Sequence, residues 1–148
     1  MLRPTLKELL IGLQATVQHT LIPELTSPYA QGQAIYLIGM LLHAADSMEK
    51  ERRYNEAEVR DLSTTIRALK RLEKSHLKRG SGDLKKVLLR GVKASAALER
   101  RDMEATLAAF VVALALGKLD EAVSKVVKGW VRRHLARQSE FLGNNVPS

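Results

Sequence analysis

The sequence predicts an all-α fold, and three observations carry that reading. Hydrophobic residues make up 45% of the 148 and recur at three- and four-residue spacings, the period of a helix face. Only 4% are aromatic, so Leu, Ala, Val and Ile must supply the core. Prolines and glycines are few, and most of them fall where helices would begin or end. The expected architecture is a four- to five-helix bundle with a long, partly extended antiparallel helical hairpin near residues 55–100. Residues 1–142 read as a single helical domain and 143–148 as a disordered tail.

The first helix has a clear start. Pro4 precedes the capping-box pattern Thr5-Leu-Lys-Glu8, and Leu6, Leu9, Leu10, Leu13 and Val17 then repeat at helical spacing. Pro23 lacks an amide donor and should end or kink this helix. Ser27 is a suitable N-cap for a second helix, and Pro28 suits its first position. The run Ala34–Ala45 is apolar almost all round and is expected at the bundle centre. Polarity changes at Asp46, yet no breaker appears before Arg79–Gly82. The second helix should therefore run to about Leu77, unless it breaks near Tyr54–Asn55. Within it, Leu62, Ile66, Leu69 and Leu72 form a narrow stripe, suited to a partner helix in the same chain or in a second copy. Asp83 is the expected cap of the next helix, with Leu84, Val87, Leu88, Val92 and Ala96 facing inward. Asp102 should cap the Ala-rich helix that follows, and Gly117 should end it. The last helix offers Leu119, Val123, Val126, Val127, Trp130, Val131 and Leu135 as contacts.

The net charge of +8 is concentrated. Between Arg67 and Lys93 there are ten basic residues against Glu73 and Asp83, which accounts for the whole excess. Arg67, Lys70, Arg71, Lys74 and Lys78 share a helix face, as do Lys86, Arg90 and Lys93 on the next helix. Arg79 and Lys85 flank the turn between them. Such a hairpin raises the local concentration of anions and suits an acidic protein surface, a phosphate-bearing ligand or nucleic acid. No aromatic residue interleaves with these cations, so base stacking has no support. The bland alternative is a solvated basic face that keeps the hairpin soluble.

Other chemistry is sparse. The absence of cysteine removes disulfides, thiolate metal sites and a cysteine nucleophile. No nucleophile elbow, Gly-rich phosphate loop or HExxH motif occurs. Glu73 and His76 make one Glu-x-x-His spacing, but a di-metal bundle needs two, and cations surround this one. No metal or cofactor is expected. His43 lies one turn before Asp46, and a carboxylate there could orient the imidazole for proton transfer, making this pair the candidate catalytic residues. A hydrogen-bonded structural histidine is the simpler reading. His19 and His134 show no partner in the sequence. The N-terminus lacks a signal peptide's apolar core, and Ala105–Gly117 is too short to cross a bilayer, so a cytoplasmic protein with no membrane association is expected.

The segments "RPTLKELL", "LIPEL", "PYAQGQ" and "VRRHLARQSEFL" resemble a group of uncharacterised bacterial helical proteins found beside, or fused to, aminoglycoside-phosphotransferase-like kinases and acyl-CoA dehydrogenases. The resemblance covers about the first 50 and last 15 residues, excludes the basic hairpin, and carries no catalytic residues across. It implies a small accessory domain. The expected function is a non-catalytic interaction module that forms a homo-oligomer or docks on a partner enzyme, its basic hairpin selecting an acidic or phosphate-bearing ligand. The alternatives are a nucleic-acid-binding protein using the same residues and a small enzyme with an interior pocket near Tyr36, His43 and Asp46.

Overall fold

The computed structural model describes residues 3–77 and 82–143. The fold is all-α: α1 (Leu6–Thr16), a π-helical turn (Val17–Leu21), the one-turn α2 (Ile22–Glu24), α3 (Pro28–His76), α4 (Gly82–Ala97), α5 (Arg100–Ala115) and α6 (Glu121–Gly143). The chain divides into two compact units at Arg53/Tyr54, and α3 contributes to both.

In the first unit, Thr5 caps α1. Its hydroxyl accepts from the Glu8 amide at 3.2 Å while the Glu8 carboxylate accepts from the Thr5 amide at 2.6 Å. Pro23 does not stop the helix at once. A proline ring collides with the carbonyl four residues back. Here the Ile22 amide instead reaches back five residues to the Val17 carbonyl, and the widened turn carries the chain through Pro23 to Glu24. Leu25 is extended, and Ser27 opens α3 with its hydroxyl 3.4 Å from the Ala30 amide. Lys7 Nζ lies 4.0 Å from a Glu49 carboxylate oxygen, so α1 folds back antiparallel along α3. Val17 and Ala45 are buried in that seam. The expectation that Ala34–Ala45 lies at the centre of a bundle is not met. Ile35, Tyr36, Leu37, Met40 and Leu42 are 44–69% exposed, because α1 covers only one side of a segment that is apolar on several.

In the second unit, the C-terminal half of α3 packs with α4, α5 and α6. Leu62, Ile66 and Leu69 of α3, Leu88 of α4, Met103, Leu107 and Phe110 of α5, and Val123, Val127 and Trp130 of α6 form one core. The Leu62–Leu72 stripe is thus covered by its own chain. α3 runs unbroken from Pro28 to His76 with no interruption at Tyr54–Asn55. Ser63 and Ser95, both buried, share a hydrogen bond of 2.6 Å that ties α3 to α4.

On α4, Leu88 is in the core with Leu84 and Val92 packed against it, as predicted, but Ala96 is not part of this face. Gly91, Ala94 and Ser95 are buried and Ala96 is exposed, with Ser95 turned to α3 and Gly91 set against Thr106 of α5, where only a small residue fits. Leu135 is likewise exposed rather than in contact. Three caps also differ. Asp83 sits within the first turn of α4, where its charge meets the helix dipole. Glu99, not Asp102, is the residue before α5. Asp120, a cap not foreseen, accepts from the Val123 amide at 2.9 Å to begin α6. Gly117 ends α5 as expected, at φ 66, with the Lys118 amide bonded to the Ala113 carbonyl at 2.9 Å.

α4 ends in the same motif with a leucine in the glycine position. Leu98 has φ 56 and is 63% exposed, and the Glu99 amide reaches the Ala94 carbonyl at 2.9 Å. A Cβ in this left-handed region costs about 1–2 kcal/mol, and the greater freedom of unfolded glycine offsets about half. Leu98→Gly should therefore stabilise the chain by about 1 kcal/mol in urea denaturation. An unchanged or lower midpoint would show that the exposed side chain contributes packing that outweighs its strain.

Candidate anion-binding face and the α3–α6 charge network

The basic residues of α3 and α4 lie on the faces opposite the core. Burial of Leu62, Ile66 and Leu69 turns Arg67, Lys70, Arg71 and Lys74 to solvent, and burial of Leu88 and Gly91 does the same for Lys86, Arg90 and Lys93. Lys85 is half-buried. Lys78 and Arg79, with the turn expected around them, lie outside the described residues. Lys70 pairs with Glu73 on its own helix. Among the described residues, no carboxylate forms an ion pair with Arg67, Arg71, Lys74, Lys86, Arg90 or Lys93.

Arg67 borders a groove of about 640 Å³ along α3, with Asn55, Val59, Arg60, Ser63 and Leu98. Arg90 and Lys93 border another of about 650 Å³ between α4 and α5, floored by Ala94, Ala97, Ala105 and Ala109. Glu99 and Asp102 lie at the rim of this second groove.

Other carboxylates of the chain are held in ion pairs of their own. Glu49 accepts from Arg52 and Arg53, which hold its carboxyl down to about 2. Glu58, fully buried on α3, accepts from His134 Nδ1 at 2.6 Å and from Arg137 Nε at 2.8 Å. Arg137 also donates to Asp61 at 2.6 Å, and Arg133 donates to the other oxygen of Asp61 at 2.9 Å and to Thr65 at 3.3 Å. Burial opposes the charge on Arg137, but its hydrogen bonds to the Glu58 and Asp61 carboxylates raise its pKa above the ordinary value. His134 stacks on Trp130 with centroids 5.0 Å apart. This network joins α6 to α3, and it supplies the partner for His134 that the sequence reading did not find. A signal was present. Glu58 occupies the stripe position one turn before Leu62, where a charge needs a partner, and Arg133, His134 and Arg137 share a face of α6.

The remaining candidates separate. Glu73 turns to Lys70 while His76 Nδ1 lies 2.7 Å from Asp120, so the Glu-x-x-His pair does not converge. The Val123 amide holds the Asp120 carboxyl below its ordinary range, and although burial acts the other way, His76 adds to the lowering. No group of three metal-ligating side chains occurs among the described residues. Tyr36, His43 and Asp46 lie on an exposed helix face rather than in an interior pocket, because this stretch of α3 has a covering helix on one side only. Asp46 pairs with Lys50 at 2.8 Å, and His43 Nε2 lies 3.5 Å from the Ser47 hydroxyl. No described helix is long and apolar enough to cross a membrane. No protein-family model, curated protein or solved structure matches the chain.

Proposed function

We propose that this protein is a non-catalytic helical interaction module whose basic faces on α3 and α4 bind the acidic or phosphate-bearing surface of a partner enzyme. The observation that carries the reading is the set of exposed cations, Arg67, Arg71, Lys74, Lys86, Arg90 and Lys93, with which no described carboxylate forms an ion pair. Solvated like charges repel one another, and an anionic surface relieves that repulsion. The resemblance of both chain ends to proteins found beside kinases and dehydrogenases favours an enzyme as the partner. The solvent-facing setting of His43 and Asp46, with Asp46 committed to Lys50, supports a role outside catalysis.

The test is fluorescence anisotropy with a labelled polyglutamate peptide, inorganic polyphosphate as competitor, and a single-stranded RNA oligonucleotide. The triple variant R71E/K74E/K86E should lose roughly tenfold or more in affinity for the peptide, and added salt should weaken the wild type. These side chains are exposed, so circular dichroism should be unchanged. Equal binding by the folded variant would remove these residues from the site. RNA that binds much more tightly than peptide or polyphosphate would favour a nucleic-acid-binding protein using the same face.

A further inference from the structure

We propose that the hairpin of α1 and the first half of α3 seats a second copy of this chain, two hairpins closing into a four-helix bundle. The inference is built from the first unit alone and does not rest on the basic faces.

The uncovered apolar surface is large. Eleven large apolar side chains between Leu6 and Leu42 are 43–77% exposed. At roughly 200 Å² for each such side chain when free, they leave on the order of 1,000 Å² bare in all, a little under half of it from Leu6, Leu9, Leu13, Leu37 and Met40 on one flank. A standard interface takes about 800 Å² from each partner, and single chains leave only a few hundred Å² of contiguous apolar surface exposed.

The surface is also ordered. Leu10, Val17, Ile38, Leu41 and Ala45 are the shielded positions along the two helices. Leu6, Leu9 and Leu13 follow on one flank of α1, and Leu37 and Met40 on the flank of α3 that antiparallel packing brings to the same side. Glycines add a second observation. A Cβ built on Gly12, Gly32 or Gly39 meets nothing within 4 Å, so no neighbour in this chain requires them. Each costs about 1 kcal/mol relative to alanine within a helix. Gly32 and Gly39 flank Tyr36 on one face of α3, a small–large–small pattern that admits a close helix from outside.

Charge selects the occupant. Between Glu8 and Asp46 the only charged residue is Glu24. A helix that lies on a membrane surface carries Lys and Arg along its polar face, and the stretch from Leu9 to Ala45 has none. An uncharged surface also offers no ionic contact to a charged protein. An antiparallel helix pair, in contrast, is self-complementary about a two-fold axis, and homodimer interfaces are the most apolar class.

The experiment is light scattering on size-exclusion eluates from about 1 to 100 µM, a range that brackets ordinary micromolar association. The wild type should elute at twice the protomer mass. L9E/L37E should elute at the protomer mass, with helical circular dichroism and Trp130 emission retained. A monomeric wild type at the highest concentration, or a dimer unaffected by both substitutions, would overturn the proposal. So would a monomer that floats with phosphatidylcholine–phosphatidylglycerol vesicles, since a membrane would then be the occupant. If L9E/L37E loses helicity, the cysteine-free chain provides a second route. A bis-maleimide should cross-link M40C into dimers and leave the solvent-facing control E121C as monomers. Equal cross-linking of the two would overturn the proposal.

Discussion

Glu58→Gln should destabilise the second unit by about 3 kcal/mol, the low end of the loss found when one partner of a buried ion pair is removed. The low end applies because the Arg137 side chain keeps 20% of its surface in water and retains Asp61. The substitution preserves shape but removes the charge. The amide presents one acceptor where Glu58 has two, and its NH₂ group faces His134 Nδ1–H or Arg137 Nε–H, donor against donor. Trp130, the only tryptophan, lies in this unit and stacks on His134, so its fluorescence follows the transition directly. A midpoint about 15 °C lower is the corresponding thermal result for a unit of this size. The double variant E58L/R137M should recover most of the loss, since an apolar pair of similar volume can replace a buried ion pair at little net cost. A loss under about 1 kcal/mol for Glu58→Gln would place the pair with solvent-screened surface bridges and remove its role in holding α6.

Gly91→Ala should destabilise by about 2 kcal/mol, against the usual stabilising sign of this exchange in a helix. The added methyl would sit 2.6 Å from both Cγ2 and Oγ1 of Thr106 and 2.9 Å from its Cβ. Thr106 is buried and branched at Cβ, and its hydroxyl donates to the Asp102 carbonyl at 2.9 Å, so rotation exchanges one collision for another. The helices must separate, and the core around Met103 and Leu107 loosens with them. G91A/T106A should regain the loss, because the alanine at 106 frees the space that the new methyl takes. Gly12→Ala has open surroundings and serves as the control for helix propensity in the monomeric chain. If Gly91→Ala proved neutral and showed no coupling to Thr106→Ala in a double-mutant cycle, the close approach of α4 to α5 would be refuted.

Much of this architecture was legible in the residues. The helical class, the Thr5–Glu8 capping box, the start of α3 at Ser27–Pro28 and the end of α5 at Gly117 each follow from contacts within a few residues, and a sequence displays such contacts directly. The unbroken α3 followed from the absence of any proline or glycine between Gly39 and Gly80. Local rules were less reliable where tertiary geometry supplies the alternative. Pro23 is carried by a widened turn upstream. Leu98 holds a glycine position because two hydrogen bonds at the end of α4 enforce it.

The sequence by itself determined which segments are helical, where most begin and stop, and that the positive charge gathers between Arg67 and Lys93. Hydrogen bonds and side-chain spacing within one helix are enough to decide those things. Only the tertiary structure decided which apolar stripe is covered. Leu62–Leu72 and Ala34–Ala45 are both hydrophobic at helical spacing, yet the first is enclosed by α4, α5 and α6 while the second keeps large side chains in water. Periodicity describes one helix and carries no count of the helices available to bury it. The same limit hid the union of Glu58 with His134 and Arg137. That contact spans 76 residues and more of chain, and the proximity that makes the ion pair arises only when α6 packs against α3.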